Sequence, residues 1–291
     1  MSSVAFSEFY WTSRDGLKLY GRDYSPVADT GKLPVIAIHG LTRNSADFDG
    51  IAGVLRDNGH RVLAIDVRGR GKSQYATDPM TYVPTTYAGD VVALLEQQAI
   101  NRAIFLGTSM GGLITMALAA LKLEAIAAAI LNDVGPEVAP EGLARIAAYT
   151  GKSVTINTWQ DAIEYARQIN EVAFPHYDQS DWEAFAHRIF REDEKGVPVL
   201  AYDPDISAPI RAAGSGALVP DLWPLYRVLT QRPTLIIRGG TSDLLSTSIA
   251  SRMITEGKNA KLIEIPDIGH APMLDEAEAA EGIVNFVAKI A

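Results

Sequence analysis

The sequence predicts an α/β protein: a mostly parallel central sheet flanked by helices, with a helical cap insertion. Three observations predict this. Short apolar runs alternate with segments of helical spacing, the pattern of strands buried on both faces and joined by helical crossovers. The alternation lapses between Gly135 and Leu229, where the chain is more polar, reads as helix in pieces and carries Trp159, Trp182 and Trp223. It resumes from Pro233.

The elements follow in order. Residues 6–12 and 18–23 read as two strands about the turn Arg14–Asp15–Gly16, a hairpin signal of the Asp-Gly type. Residues 24–33 are a polar loop with Pro and Gly. Residues 34–38, PVIAI, are a buried strand ending at His39–Gly40, and residues 45–58 are helical, with Phe48, Ile51, Ala52 and Leu55 on one face before Gly59 stops them. A strand at 61–65 and a helix at 87–98 (Val91, Leu94, Leu95 and Gln98 on one side) come next. They are followed by a strand at 103–106 and an apolar helix at 110–121. Residues 125–131 are ambiguous by periodicity because Ala favours helix, but their position before Asn-Asp-Val-Gly-Pro favours a buried strand. Helical pieces are expected at 141–149, 158–172 and 180–190, strands at 233–238 and 260–265, and a closing helix at 276–290. Residues 1–135 and 233–291 should form the core, and residues 136–232 the cap, or lid.

Composition narrows the function. The 291 residues are 47% hydrophobic and 21% charged, which excludes disorder for most of the chain. A formal charge of -9 argues against a nucleic-acid or anionic-membrane partner. Cysteine is absent, so disulfides, thiolate catalysis and cysteine-ligated metal sites are impossible. The opening MSSVAFSEFYWTSRDG lacks a basic segment followed by an apolar one. The apolar stretch at 117–129 is broken by Lys122 and Glu124, short of the roughly 20 residues a membrane span needs. A cytoplasmic protein is the expectation, either a monomer or a homodimer.

The sharpest chemical feature is Gly107–Thr108–Ser109–Met110–Gly111, directly after a strand and opening a helix. This is the context of a G-x-S-x-G nucleophile elbow, whose small flanking residues relieve crowding in a tight strand-to-helix turn. The bland alternative is a glycine-rich turn with a structural serine. A serine nucleophile needs a base. His270, in a polar loop beyond the last strand, is the best placed. His60 precedes a strand and is expected at the opposite edge of the sheet, and His176 and His187 fall in the insertion. The base needs an acid to hold its tautomer. Asp243, after the strand at 233–238, is the first choice, although a turn or N-cap role is its alternative. Asp133 is the competitor.

These residues resemble the α/β-hydrolase superfamily nearly end to end, including the chain order nucleophile, acid, histidine. His39–Gly40–Leu41 resembles that family's His-Gly oxyanion segment, which implies the backbone N–H groups of Leu41 and Met110 as oxyanion donors and His39, Gly40, Gly107 and Gly111 as support. Asp66–Val67–Arg68–Gly69–Arg70–Gly71–Lys72–Ser73 resembles the family's D-x-R-G-x-G-x-S loop and reads as scaffold. It meets neither the dinucleotide nor the P-loop pattern. Serine at the nucleophile position makes dehalogenase and epoxide-hydrolase chemistry unlike this chain, and HGLTRN departs from the HGGPG and HGGG loops of iminopeptidases and lipases.

The resemblance implies hydrolysis of a carboxylic ester or lactone through an acyl-enzyme on Ser109, His270 and Asp243, with no cofactor and no metal. Two alternatives stand beside it: a carbon–carbon bond hydrolase of a vinylogous diketone, and a non-catalytic small-molecule binding protein on the same fold. Arg43 is either a contact for a substrate carboxylate or a solvent-facing side chain.

Overall fold

The computed structural model describes residues 5–152, 154–213 and 221–290; the first residues of the N-terminal segment and two parts of the cap segment fall outside these. A hairpin opens the chain, β1 (Ser7–Thr12) and β2 (Lys18–Tyr24), turning at Gly16, whose φ of 90° suits glycine. Then come β3 (Val35–Ile38), α1 (Asp49–Asp57) entered through a short 3₁₀ turn, β4 (Val62–Asp66), α2 (Pro84–Gln97), β5 (Ala103–Thr108), α3 (Met110–Lys122) and β6 (Ile126–Asn132). Every residue of β6 is buried, so the ambiguous alanine-rich run is a central strand. Its small side chains leave room for neighbours on both faces.

The segment after β6 holds α4 (Pro140–Tyr149), α5 (Trp159–Asn170), α6 (Gln179–Ile189), a small hairpin of β7 (Phe190–Glu192) and β8 (Pro198–Leu200), α7 (Ala208–Ala213) and α8 (Trp223–Leu229). Helices α5 and α6 start with capping boxes at Thr158 and Asp178. The core then closes with β9 (Thr234–Gly239), α9 (Thr247–Glu256), β10 (Ala260–Ile265) and α10 (Ala277–Val287).

The main sheet has eight strands in the order β1-β2-β4-β3-β5-β6-β9-β10. The first two are antiparallel additions, and β4 through β10 run parallel. Alternate side chains feed opposite faces. Ile36, Ile38 and Phe105 join α2, α3 and α8 on one side, whereas Val35, Ala37, Ile104 and Leu106 join α1 and α10 on the other. Helix α8 packs on α3 through Trp223, Tyr226 and Leu229, so the last helix of the insertion builds the core, and α4 to α7 remain as the cap-like part. A third apolar cluster, Ile163, Phe174, Trp182, Phe185 and Ile189, holds the cap helices together and reaches Met273 of the core. Among the described residues no helix is long and apolar enough to cross a membrane.

Candidate active site

The parallel strands deliver the site at their C-terminal ends. Ser109 ends the β5 turn with φ 51° and ψ -115°, a left-handed backbone that a serine adopts only when its surroundings force it. The force is close packing. A Cβ on Gly107 would lie 2.4 Å from Gly111, and one on Gly111 would lie 2.0 Å from the Ile38 carbonyl oxygen. Ser109 N–H donates to the Asn132 carbonyl at 2.9 Å, tying the elbow to the end of β6.

His270 lies in the loop beyond β10. Its Nε2 is 2.9 Å from Ser109 Oγ, and its Nδ1 is 2.8 Å from Asp133 Oδ2. An ionised carboxylate only accepts, so Nδ1 carries the proton and Nε2 is free to accept from the serine hydroxyl. Asp133 is fully buried, follows β6 directly, and has φ 53°. It also accepts from Gly239 N–H at 2.8 Å and from Ser242 Oγ at 2.6 Å.

This corrects the expectation for Asp243. That residue does stand in the loop after β9, but its carboxylate is held by Arg145 of α4, with Nε at 2.6 Å and Nη2 at 2.9 Å. The Arg145 guanidinium keeps the Asp243 carboxyl below the usual aspartate range. The reason lies in the sheet: β6 and β9 are parallel neighbours, so acids at both C-terminal ends approach the same histidine. Side-chain partners then decide between them. Ser242 and Gly239 orient Asp133 towards His270, while Arg145 draws Asp243 to the cap.

The His39–Gly40–Leu41 loop is braced from behind. His39 is fully buried, its Nε2 accepts from Val67 N–H at 3.0 Å, and its Nδ1 therefore donates to the Gly40 carbonyl at 2.7 Å. Burial pushes its pKa down to about 4, so the ring is neutral. With the Gly40 carbonyl turned inward, Leu41 follows at the wall of the cavity. Its N–H makes no hydrogen bond among the described residues, and Met110 N–H, the first of α3, has no intrahelical acceptor.

Arg70, from the loop read as scaffold, contacts both residues expected as oxyanion donors. Its Nε donates to the Leu41 carbonyl at 3.0 Å, and its Nη2 lies 3.7 Å from Met110 Sδ. The same loop is fixed by Arg68, paired with Asp90 and Asp15, and by Asp66, which accepts from Ser45 and Lys72 N–H. The remaining histidines lie elsewhere: His60 precedes β4 and bonds the Leu33 carbonyl, His187 lies tilted against the Trp159 ring, and His176 is exposed.

A cavity opens above Ser109 and His270. The core contributes Leu41, Thr42, Arg43, Asp47 and Met273. The cap contributes Ile146, Ile169, Phe174, Phe185, Ile189 and Leu200, with Tyr149, Tyr165, Tyr202 and Asn170 as its polar groups. Arg43 is not a solvent-facing residue, since its side chain is only 14% exposed and lines this cavity.

Sequence reasoning missed Ser242 and the bracing role of Arg70. It ranked Asp133 second, although Asn132–Asp133 directly follows the strand next to the nucleophile's own.

Comparison with known proteins places the chain in a family. The sequence pattern of the Alpha/beta hydrolase family matches residues 35–282. The chain is 35% identical over 257 residues to the 3-hydroxybutyrate-oligomer hydrolase of Cupriavidus necator, covering 84% of this chain and 85% of that protein. It is 26% identical over 273 residues to the 2-(acetamidomethylene)succinate hydrolase of Mesorhizobium japonicum, covering 92% of each. The crystal structure of an alpha/beta hydrolase from Novosphingobium aromaticivorans is similar at a TM-score of 0.91 and 43% identity, covering 98% of this chain and 99% of that one.

Proposed function

The chain belongs to the alpha/beta hydrolase family and is a serine-type hydrolase of small carbonyl or ester compounds, and on that premise we propose that it cleaves a carboxylic ester or lactone, with short esters of hydroxy acids as the preferred class. The contact between Ser109 Oγ and His270 Nε2 at 2.9 Å carries this reading. His270 takes the Ser109 proton as Oγ attacks the substrate carbonyl. The oxyanion is met by the N–H groups of Leu41 and Met110, a contribution of about 3–4 kcal/mol per donor at such sites. Asp133 stays ionised and holds the imidazolium that forms. His270 then protonates the leaving alkoxide, and in the second half removes a proton from the water that hydrolyses the acyl-enzyme. The product acid departs with Ser109 restored.

The substrate class rests on two supports. The 35% identical relative is named for 3-hydroxybutyrate oligomers, and the cavity is mainly apolar with a few fixed polar groups, which suits a short acyl chain. A carbon–carbon bond hydrolase would need a cationic or acidic cap group to drive ketonisation, and among the described residues the cap's share of the wall offers Asn170 and three tyrosines.

The test is a graded panel of p-nitrophenyl esters, lactones and 3-hydroxybutyrate dimer and trimer, with Ser109→Ala as control. Hydrolysis of short esters that disappears in Ser109→Ala is the expected result. Unchanged turnover in that variant would refute the mechanism.

A further inference from the structure

The Arg43–Asp47 pair does something in the cavity that the acyl-enzyme mechanism leaves unused. Arg43 Nε and Nη2 each donate to Asp47 at 2.7 Å, a bidentate pair whose two side chains are 14% and 12% exposed. The guanidinium lies 4.0 Å from the Phe185 ring centroid, and its Nη2 is 3.7 Å from Met273 Sδ. It is therefore held by the core on one side and by cap helix α6 on the other. Its Nη1 donates to nothing among the described residues, yet it is not among the sealed unpaired atoms. Both members of the pair line the cavity that contains Ser109. They are close to the reacting centre: the position a Gly40 Cβ would take lies 3.5 Å from Arg43 Cγ and 3.7 Å from Ser109 Cβ.

The charge state of this pair selects its ligand. The guanidinium is already neutralised by Asp47, so a substrate carboxylate would bring a second negative charge against that carboxylate. A purely apolar acyl chain would leave an Arg donor and spare Asp lone pairs facing hydrocarbon, which costs free energy. A hydroxyl suits either group, because it can accept from Arg43 Nη1 or donate to a free lone pair of Asp47. We propose that Arg43 and Asp47 form a subsite that reads a hydroxyl group on the acyl chain of the substrate, making the enzyme selective for hydroxyacyl esters over their deoxy counterparts. This rests on the ester-hydrolase reading of Ser109 and adds a specificity residue pair to it. Asp47 fixes the guanidinium plane, Phe185 stacks on it, and the apolar remainder of the wall excludes competing water.

The experiment compares methyl butyrate with methyl 3-hydroxybutyrate by pH-stat, in the wild type and in Arg43→Met and Asp47→Asn. The readout is the ratio of kcat/KM for the two esters. The wild type is expected to favour the hydroxy ester by about 10- to 100-fold, and each variant to bring the ratio towards unity. Binding of methyl 3-hydroxybutyrate to Ser109→Ala, with and without Asp47→Asn, gives a second measure should Arg43→Met not fold. A wild-type ratio near one, or a preference that survives both variants, overturns the subsite while ester hydrolysis at Ser109 stands. Ester hydrolysis that persists in Ser109→Ala overturns the underlying reading instead.

Discussion

Asp133 Oδ2 lies 2.8 Å from His270 Nδ1, and Asp133 directly follows β6, the strand beside the one that leads into Ser109. Asp133 and Ser109 are therefore positioned by adjacent parallel strands, and the backbone bond from Ser109 N–H to the Asn132 carbonyl fixes their spacing. The following outcomes are expected.

Asp133→Asn should lower kcat by about a thousandfold or more, because an amide in that place favours the wrong imidazole tautomer. Asp243→Asn should lower it by less than about tenfold, since that carboxylate serves Arg145. Steady-state kinetics of the two variants decide the assignment, and the reverse order would return the acid to Asp243.

Arg70→Met removes the donor to the Leu41 carbonyl and should lower kcat by about 10- to 100-fold through a loosened oxyanion hole, with a smaller change in KM. Arg70→Lys keeps a charge but cannot span both Leu41 and Tyr87, which Arg70 Nη1 reaches at 2.9 Å, and should not restore the rate. A purely structural role would instead show as lost folded protein at unchanged kcat.

His39 is held neutral by burial, with its pKa lowered from 6.5 to about 4. The unfolded chain therefore binds a proton between those values that the folded chain does not. The stability this group contributes is complete above pH 6.5 and falls as the pH drops towards 4, with a slope of at most about 1.4 kcal/mol per pH unit. Urea unfolding across this range should show a steeper decline in the wild type than in His39→Gln.

The Arg145–Asp243 pair joins α4 to the loop after β9, beside the bond from Gly142 N–H to the Asp243 carbonyl at 3.0 Å. Arg145 lowers the Asp243 pKa, so the stability from this pair is present above the ordinary value of 3.8 and lost as pH falls through the folded value. The Tm difference between wild type and Asp243→Asn should favour the wild type at pH 6 and shrink below pH 4.

Gly111→Ala places a methyl 2.0 Å from the Ile38 carbonyl oxygen, where backbone rather than a flexible side chain must move. A loss on the order of 3 kcal/mol in unfolding free energy is expected, with activity falling alongside it.

The alternating pattern was enough to read the sheet, because fully buried parallel strands and amphipathic crossovers leave distinct signatures in the chain. The place of Ser109 in a strand-to-helix turn and of His270 in a loop beyond the last strand was readable for the same reason: both follow from strand ends. The acid was not. Choosing between Asp133 and Asp243 depends on which one Ser242 and Arg145 contact, and those contacts cross from one strand end to another or from cap to core, where no local spacing records them. The hairpin of β7 and β8 was hidden by its brevity. Residues 223–229 fall in the cap range by sequence position, while the burial of Trp223, Tyr226 and Leu229 against α3 depends on packing that only the folded chain reveals.

The adjacency of β6 and β9 has an evolutionary reading. Two acidic residues stand at neighbouring strand ends within the same neighbourhood, one serving the histidine and the other engaged elsewhere. A lineage carrying both can transfer the duty from either strand to the other by changing only the groups that compete for each carboxylate, without passing through an ancestor that has lost it. The triad in such a family is then better defined by where its members converge than by which strand each one leaves.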